Sequence, residues 1–273
     1  MTTQELKNLS KSFPLTDPFP VLFLGHGSPM NAIEENEFTK GWHLMGTRLP
    51  KPKAILCISA HWETRGTWIT AMDRPRTIHD FGGFPPELYG VQYPAPGSPE
   101  LALEIKKRID GFAIDLDSSW GLDHGAWSVI LHLFPLADIP VLQLSLDYTK
   151  SPVYHFDLAR ELKSFRERGI LIIASGNMVH NLRMMDWGRD NQGFDWAIDS
   201  NSRIKDLILK EDYKALINYN SLGPSFKLSI PSAEHYLPLL YALALKSNRE
   251  KLEFFNEKLI MGSISMTSVF IGN

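Results

Sequence analysis

The 273-residue chain has one cysteine, Cys57, which excludes an internal disulfide and any thiolate zinc site. An excess of charge of one sign is also missing, since 28 Lys and Arg face 31 Asp and Glu for a net charge of −3. No positive field draws the chain to a phosphate backbone, so nucleic acid is excluded as an expected partner. No apolar run approaches the length of a membrane span. Met1 to Pro20 carries Lys7, Lys11 and Pro14 and lacks the apolar core of a secretion signal. These absences predict a soluble cytoplasmic protein with no membrane contact and no evident obligate protein partner. Phosphate-binding glycine loops, dinucleotide turns, paired-histidine metalloprotease helices and Gly-x-Ser-x-Gly elbows are missing too.

Histidine is plentiful, at nine residues. Any metal must therefore be held by nitrogen and oxygen. With 44% hydrophobic residues, the chain can bury a sizeable core.

Strand-length apolar runs recur at Pro20–Leu24, Ala54–Ser59, Pro140–Leu146 and Ile170–Ala174. They are nearly continuous rather than alternating, which predicts strands buried on both faces in a mainly parallel sheet. Helices are expected at Glu100–Asp110, with Ser98 as cap, Pro99 at the first position and Gly111 as stop, and at Phe156–Arg168, closed by Gly169. Further helices follow near Trp196–Lys210, Asp212–Tyr219 and His235–Lys246. Lys251–Phe255 and Ser263–Ile271 then read as an antiparallel addition to the sheet. The fold class is α/β: a single domain with a central mixed, mainly parallel sheet flanked by helices, spanning 21–273 after an N-terminal arm at 1–20. From Trp62 to Ser98 only Thr67–Met72 looks like a strand. The rest is dense in Gly, Pro and aromatics, as in a loop that covers a pocket with Phe81, Phe84, Tyr89 and Tyr93.

His26 follows the first strand inside Gly25-His26-Gly27-Ser28, and His61 stands in the same relation to the second. His180 lies a short loop beyond Ile170–Ala174. Carboxyl ends of parallel strands are where open α/β sheets bind ligands. His124 and Glu234-His235 stand at helix starts, where side chains can also face a cleft. His43 and His155 read as surface or packing residues, His132 as a helix residue, and His79 as either pocket-lining or turn-stabilising.

The segments Leu24-Gly25-His26-Gly27-Ser28-Pro29, Ser59-Ala60-His61-Trp62, Ile78-His79-Asp80-Phe81-Gly82-Gly83-Phe84, Asp123-His124-Gly125, Ser175-Gly176-Asn177, His180-Asn181-Leu182 and Glu234-His235-Tyr236 occur in this order. Together they resemble the class III extradiol ring-cleavage dioxygenases, in particular the branch acting on DOPA. The resemblance implies an enzyme that opens a catechol ring next to its hydroxyls with O2, active at the carboxyl ends of the strands. It implies Fe2+ for activity and Zn2+ as the resting metal. By position, His26, His61 and His235 are the implied ligands, with Glu234 as the alternative third. His180 is implied as acid–base or fourth ligand, and His124 as a second catalytic histidine. Ser28, His79, Phe81 and Tyr236 are substrate-pocket candidates, and Arg74 or Arg76 could meet a substrate carboxylate. Three other uses of the same histidines stay open: a zinc hydrolase, in which metal-bound water attacks; a tetrapyrrole metal chelatase; and a binding protein with a silent pocket.

Overall fold

A computed structural model describes residues 15–273. Ten strands follow the chain order β1 Val21–Gly25, β2 Ala54–Thr64, β3 Thr67–Thr70, β4 Ile114–Asp117, β5 Val141–Asp147, β6 Ile170–Gly176, β7 Lys251–Phe255, β8 Leu259–Ile260, β9 Ile264–Ser265 and β10 Ser268–Gly272. Eight of them form one sheet in the order β4-β3-β5-β2-β6-β1-β10-β7, and β8 and β9 make a separate small ribbon. The central strands β5, β2, β6 and β1 are mutually parallel. At one edge β10 and β7 add antiparallel, as expected from the C-terminal segments.

The continuous apolar runs have their explanation in two cores. Val21, Phe23, Leu56, Ile58, Ile172 and Ala174 face one side, beneath helices Pro152–Glu161, Asp195–Leu209 and Leu237–Ala244. Leu22, Leu24, Ile55, Cys57, Leu171 and Ile173 face the other, with Trp42 and Trp127 of helices Glu37–Arg48 and His124–Leu133. Successive side chains on a strand point to opposite faces, so a strand covered on both is mostly apolar, and its polar residues, such as Gln143 of β5, are hydrogen-bonded. Burial of each large side chain contributes about 1.5–3 kcal/mol.

Several boundaries differ from expectation. The helix at Pro99–Arg108 is capped as expected, Ser98 Oγ accepting from Leu101 N. The segment read as Phe156–Arg168 is two helices, Pro152–Glu161 and Lys163–Arg166, starting at a proline suited to a first turn. Ser263–Ile271 is interrupted between β9 and β10. Edge strand β4, Ile-Asp-Leu-Asp, escapes sequence reading because its short polar alternation resembles a loop. Most of the expected arm lies outside the described residues. Of its remainder, Thr16 N donates to Glu167 O and Phe19 N to Arg166 O. Among the described residues, no helix is long and apolar enough to cross a membrane.

Candidate active site

Five histidines converge at the carboxyl ends of the parallel strands. His26 leaves β1, its backbone N donating to Gly176 O at the end of neighbouring β6. His61 lies within β2 rather than beyond it, because that strand runs on to Thr64. An irregularity between Ile58 and Glu63 breaks its register with β5 there and re-aims the side chain. His124 opens a helix capped by Asp123, and its backbone N donates to Asp80 Oδ1 at 2.8 Å. His180 N donates to Ser229 O, and Asn177 N donates to His235 O. This last contact requires glycine at 176, where a Cβ would stand 2.2 Å from the His235 carbonyl oxygen. A Cβ at Gly125 would likewise meet the His61 ring at 2.7 Å.

The rings form a shell, with centroids 5.0 Å apart for His26 and His61, 5.3 Å for His26 and His235, and 3.8 Å for His61 and His124. The Nδ1 atoms of three of them are engaged from behind. His26 Nδ1 is 3.0 Å from Ser175 Oγ, whose own proton goes to the Gly125 carbonyl, so the serine accepts from His26. His61 Nδ1 lies 3.4 Å from Asp80 Oδ2, and His235 Nδ1 lies 3.1 Å from Glu234 Oε1. A neutral imidazole that gives its Nδ1 proton away presents a bare lone pair at Nε2.

Those lone pairs face each other. His26 Nε2 and His61 Nε2 are 3.2 Å apart, and His235 Nε2 is buried with no protein partner. Two nitrogens bound to one ion at about 2.0–2.1 Å stand roughly 2.8–3.4 Å apart for angles between right and tetrahedral. His26 and His61 at this spacing fit a shared metal ion, and the ligand atoms of His26, His61 and His124 lie within 4.8 Å of one another. Protonation does not compete, because burial first, and then the neighbouring histidines, holds His26, His61 and His235 well below the ordinary histidine value. Burial also pushes His180 down to about 4.

His180 and His235 stack in parallel, centroids 3.5 Å apart at 8°. The ligand atoms of His180, Glu234 and His235 likewise lie within 4.8 Å of one another. Glu234 Oε1, besides facing His235, accepts from Ser232 Oγ at 2.8 Å.

The histidines floor a cavity of about 320 Å³, the small end of ligand sites. Ser28, Phe81 and Phe84 line it as expected. Tyr236 does not: its ring is buried in the core and its hydroxyl donates to Leu216 O. His79 packs behind Phe81, Nε2 lying 2.9 Å from Val91 O. Tyr93 is buried with its hydroxyl on Phe134 O, and Tyr89 also lies outside the lining. Arg74 and Arg76 do not reach the cavity; Arg76 Nε donates to Trp120 O. His155 is a packing residue, buried with Nδ1 3.0 Å from Tyr241 Oη.

Sequence reasoning missed Asp80. Its Oδ2 lies 3.0 Å from His124 Nδ1 as well as 3.4 Å from His61 Nδ1, so one carboxylate orients two site rings. The signal was its place in the His79-Asp80-Phe81 motif, which by itself names no partner. The apolar wall of Leu182, Met185, Trp187 and Met261 was also unforeseen.

Residues 20–272 match the family model described as the catalytic LigB subunit of aromatic ring-opening dioxygenase. The chain belongs to this family. It is 47% identical to a protein of Escherichia coli strain K12 named 4,5-DOPA dioxygenase extradiol, over 93% of this chain and 94% of the relative. Proteins of the same name from Beta vulgaris and Mirabilis jalapa are 36% and 32% identical, over 90% and 86% of this chain and 94% and 89% of theirs. The crystal structure of an uncharacterized protein from Escherichia coli K12 superposes with a TM-score of 0.81 at 42% identity, covering 93% of this chain and all of that one. The resemblance of the motifs and the mixed α/β fold are thereby borne out. Family and geometry agree on a metal-binding histidine cluster.

Proposed function

We propose that the protein is an extradiol dioxygenase that opens a small catechol, DOPA among them, beside its hydroxyl pair with O2. His26, His61 and His235 hold the metal, and residues 21–273 act as one catalytic unit. The observation that supports this reading is the approach of His26 Nε2 and His61 Nε2 to 3.2 Å in a buried histidine cluster that also holds the unpartnered Nε2 of His235. Fe2+ is the ion for turnover, and Zn2+ suits the same imidazoles as a resting metal. When bound, the iron would supply the redox chemistry that ring opening with O2 needs.

The remaining roles follow from placement. Glu234 orients His235 instead of replacing it, since its carboxylate already faces that ring's Nδ1. His180, stacked on His235 at the floor of the cavity, is the acid–base group, and its neutral ring at pH 7 can take a catechol proton. His124, held by Asp80, orients the substrate above Phe81, whose ring centroid lies 5.5 Å from its own. Ser28 and Phe84 complete the wall.

The test loads the protein anaerobically with Fe2+, adds catechols and then oxygen, and follows the yellow semialdehyde together with oxygen uptake. One O2 consumed per ring opened is expected. No catechol opened with the metal confirmed bound, together with oxygen-independent cleavage of an ester or amide, would replace this reading with a hydrolase.

A further inference from the structure

Ring opening accounts for the polar floor of the cavity and leaves its outer wall unexplained. Leu182, Met185, Trp187 and Met261 face Phe81 and Phe84 across the mouth. Leu182 is 58% exposed and Trp187 73%, so a large apolar surface stands in water at the entrance. The wall is anchored rather than loose. Asp186 N donates to Met261 O and Met261 N to Arg189 O, both at 3.0 Å, joining the lip to the segment leading into β9.

Charge is what this wall lacks. Among the described residues no Lys or Arg lines the cavity, and its charged side chain is the carboxylate of Asp80. Arg183 faces an adjoining depression with Ser232 and Glu234. Arg189 pairs with Asp186 and lies over the Phe194 ring. A substrate carboxylate at this lip would lie against apolar side chains and, among the lining residues, meet no cation. An uncharged chain would instead cover the lip and release water from apolar surface on both sides.

We infer that the preferred substrates are catechols whose ring substituent is uncharged and apolar, a short alkyl, alkenyl or aryl group. The amino-acid side chain of DOPA is accepted and not recognised. This rests on the ring-opening reading above and selects the substrate class within it.

The test compares kcat/KM of the Fe2+-loaded protein for catechol, methyl-, ethyl- and propylcatechol, dihydroxyphenylpropionate and DOPA. The alkyl series should rise by up to about fourfold per methylene, chiefly through KM. The propionate and DOPA should fall at least about tenfold below propylcatechol, the order of an unpaired buried charge. Trp187→Ala and Leu182→Ala, at exposed positions, should flatten the alkyl series, and Met185→Arg should favour the propionate. The ranking is also read without turnover, from calorimetric Kd values of para-propylphenol and hydroxyphenylpropionate, which have a single hydroxyl. Propionate or DOPA matching propylcatechol overturns the inference while leaving ring opening intact. So does a selective loss of carboxylated substrates in Arg183→Gln. If no catechol is opened, ring opening itself fails and this inference falls with it.

Discussion

Two buried polar clusters occupy opposite ends of the parallel strands, and they differ in how they are closed. Before β6, Arg166 donates from Nε to Phe19 O at 2.7 Å, from Nη1 to Leu245 O at 2.6 Å, and from both Nη atoms to Glu250. Glu250 also accepts from Ser247 N. Protein groups surround this charge pair. At the carboxyl ends of β1, β2 and β6 the histidines meet Ser175, Asp80 and Glu234 from behind, and Nε2 of His26 faces Nε2 of His61. A buried polar group without a partner costs free energy. The first cluster avoids that cost within the chain; the second leaves the Nε2 of His235 without a protein partner.

Breaking the open cluster should have the largest effect. His26→Ala should reduce bound metal from about one ion per chain to near zero and abolish ring opening, as read by elemental analysis and oxygen uptake. Full occupancy in that variant would contradict the ligand assignment. In the closed cluster, Glu250→Ala leaves the Arg166 guanidinium buried without its counter-charge. It should cost about 3–5 kcal/mol in denaturant unfolding, while the folded fraction keeps its metal and its kcat. A change in kcat with stability intact would erase the contrast between the two ends.

Asp80→Asn sharpens the contrast from within the site. Metal affinity should weaken by about 10–100-fold and kcat should fall as well, since the same carboxylate orients His61 and His124. The unfolding midpoint of the metal-free protein should stay close to that of the parent. Equal loss of stability and affinity would make Asp80 structural.

The smallest expected effect is on pH dependence. Burial acts to raise the Glu250 carboxyl, but hydrogen bonds from Arg166 and Ser247 outweigh it and hold the group below its ordinary value. A depressed carboxylate contributes stability above its unfolded value, about 4.3, and loses it as pH falls through the folded one. Unfolding free energy should therefore drop below about pH 4.3, with a shallower drop in Glu250→Gln.

Legibility followed periodicity. β1 and β6 were readable because strands covered on both faces are almost continuously apolar, and β5 because its leucines recur between buried Gln143 and Ser145, whereas β4, half-exposed at an edge, carried no such signal. The break at Leu162 was invisible because both flanking helices keep a similar apolar face. In the site, His26, His124, His180 and His235 were placed at element ends from local punctuation alone. Tyr236 was misplaced because direction reverses within a tight turn: His235 faces the cavity while Tyr236, the next residue, fills the core. Asp80 sits in a loop without period, so nothing local says which rings its carboxylate will meet.

The order of apolar runs and punctuating glycines and prolines determined that this chain builds a parallel α/β sheet with histidines at its ligand-binding edge, because burial and backbone sterics act over a few residues. Which nitrogen of each histidine stays bare, which carboxylate stands behind it, and that the cavity mouth is apolar and without a cation among the described residues were decided only by the tertiary structure. Those properties depend on contacts between residues such as His26 and Ser175, 149 positions apart, whose distance is set by strand pairing and not by sequence neighbourhood.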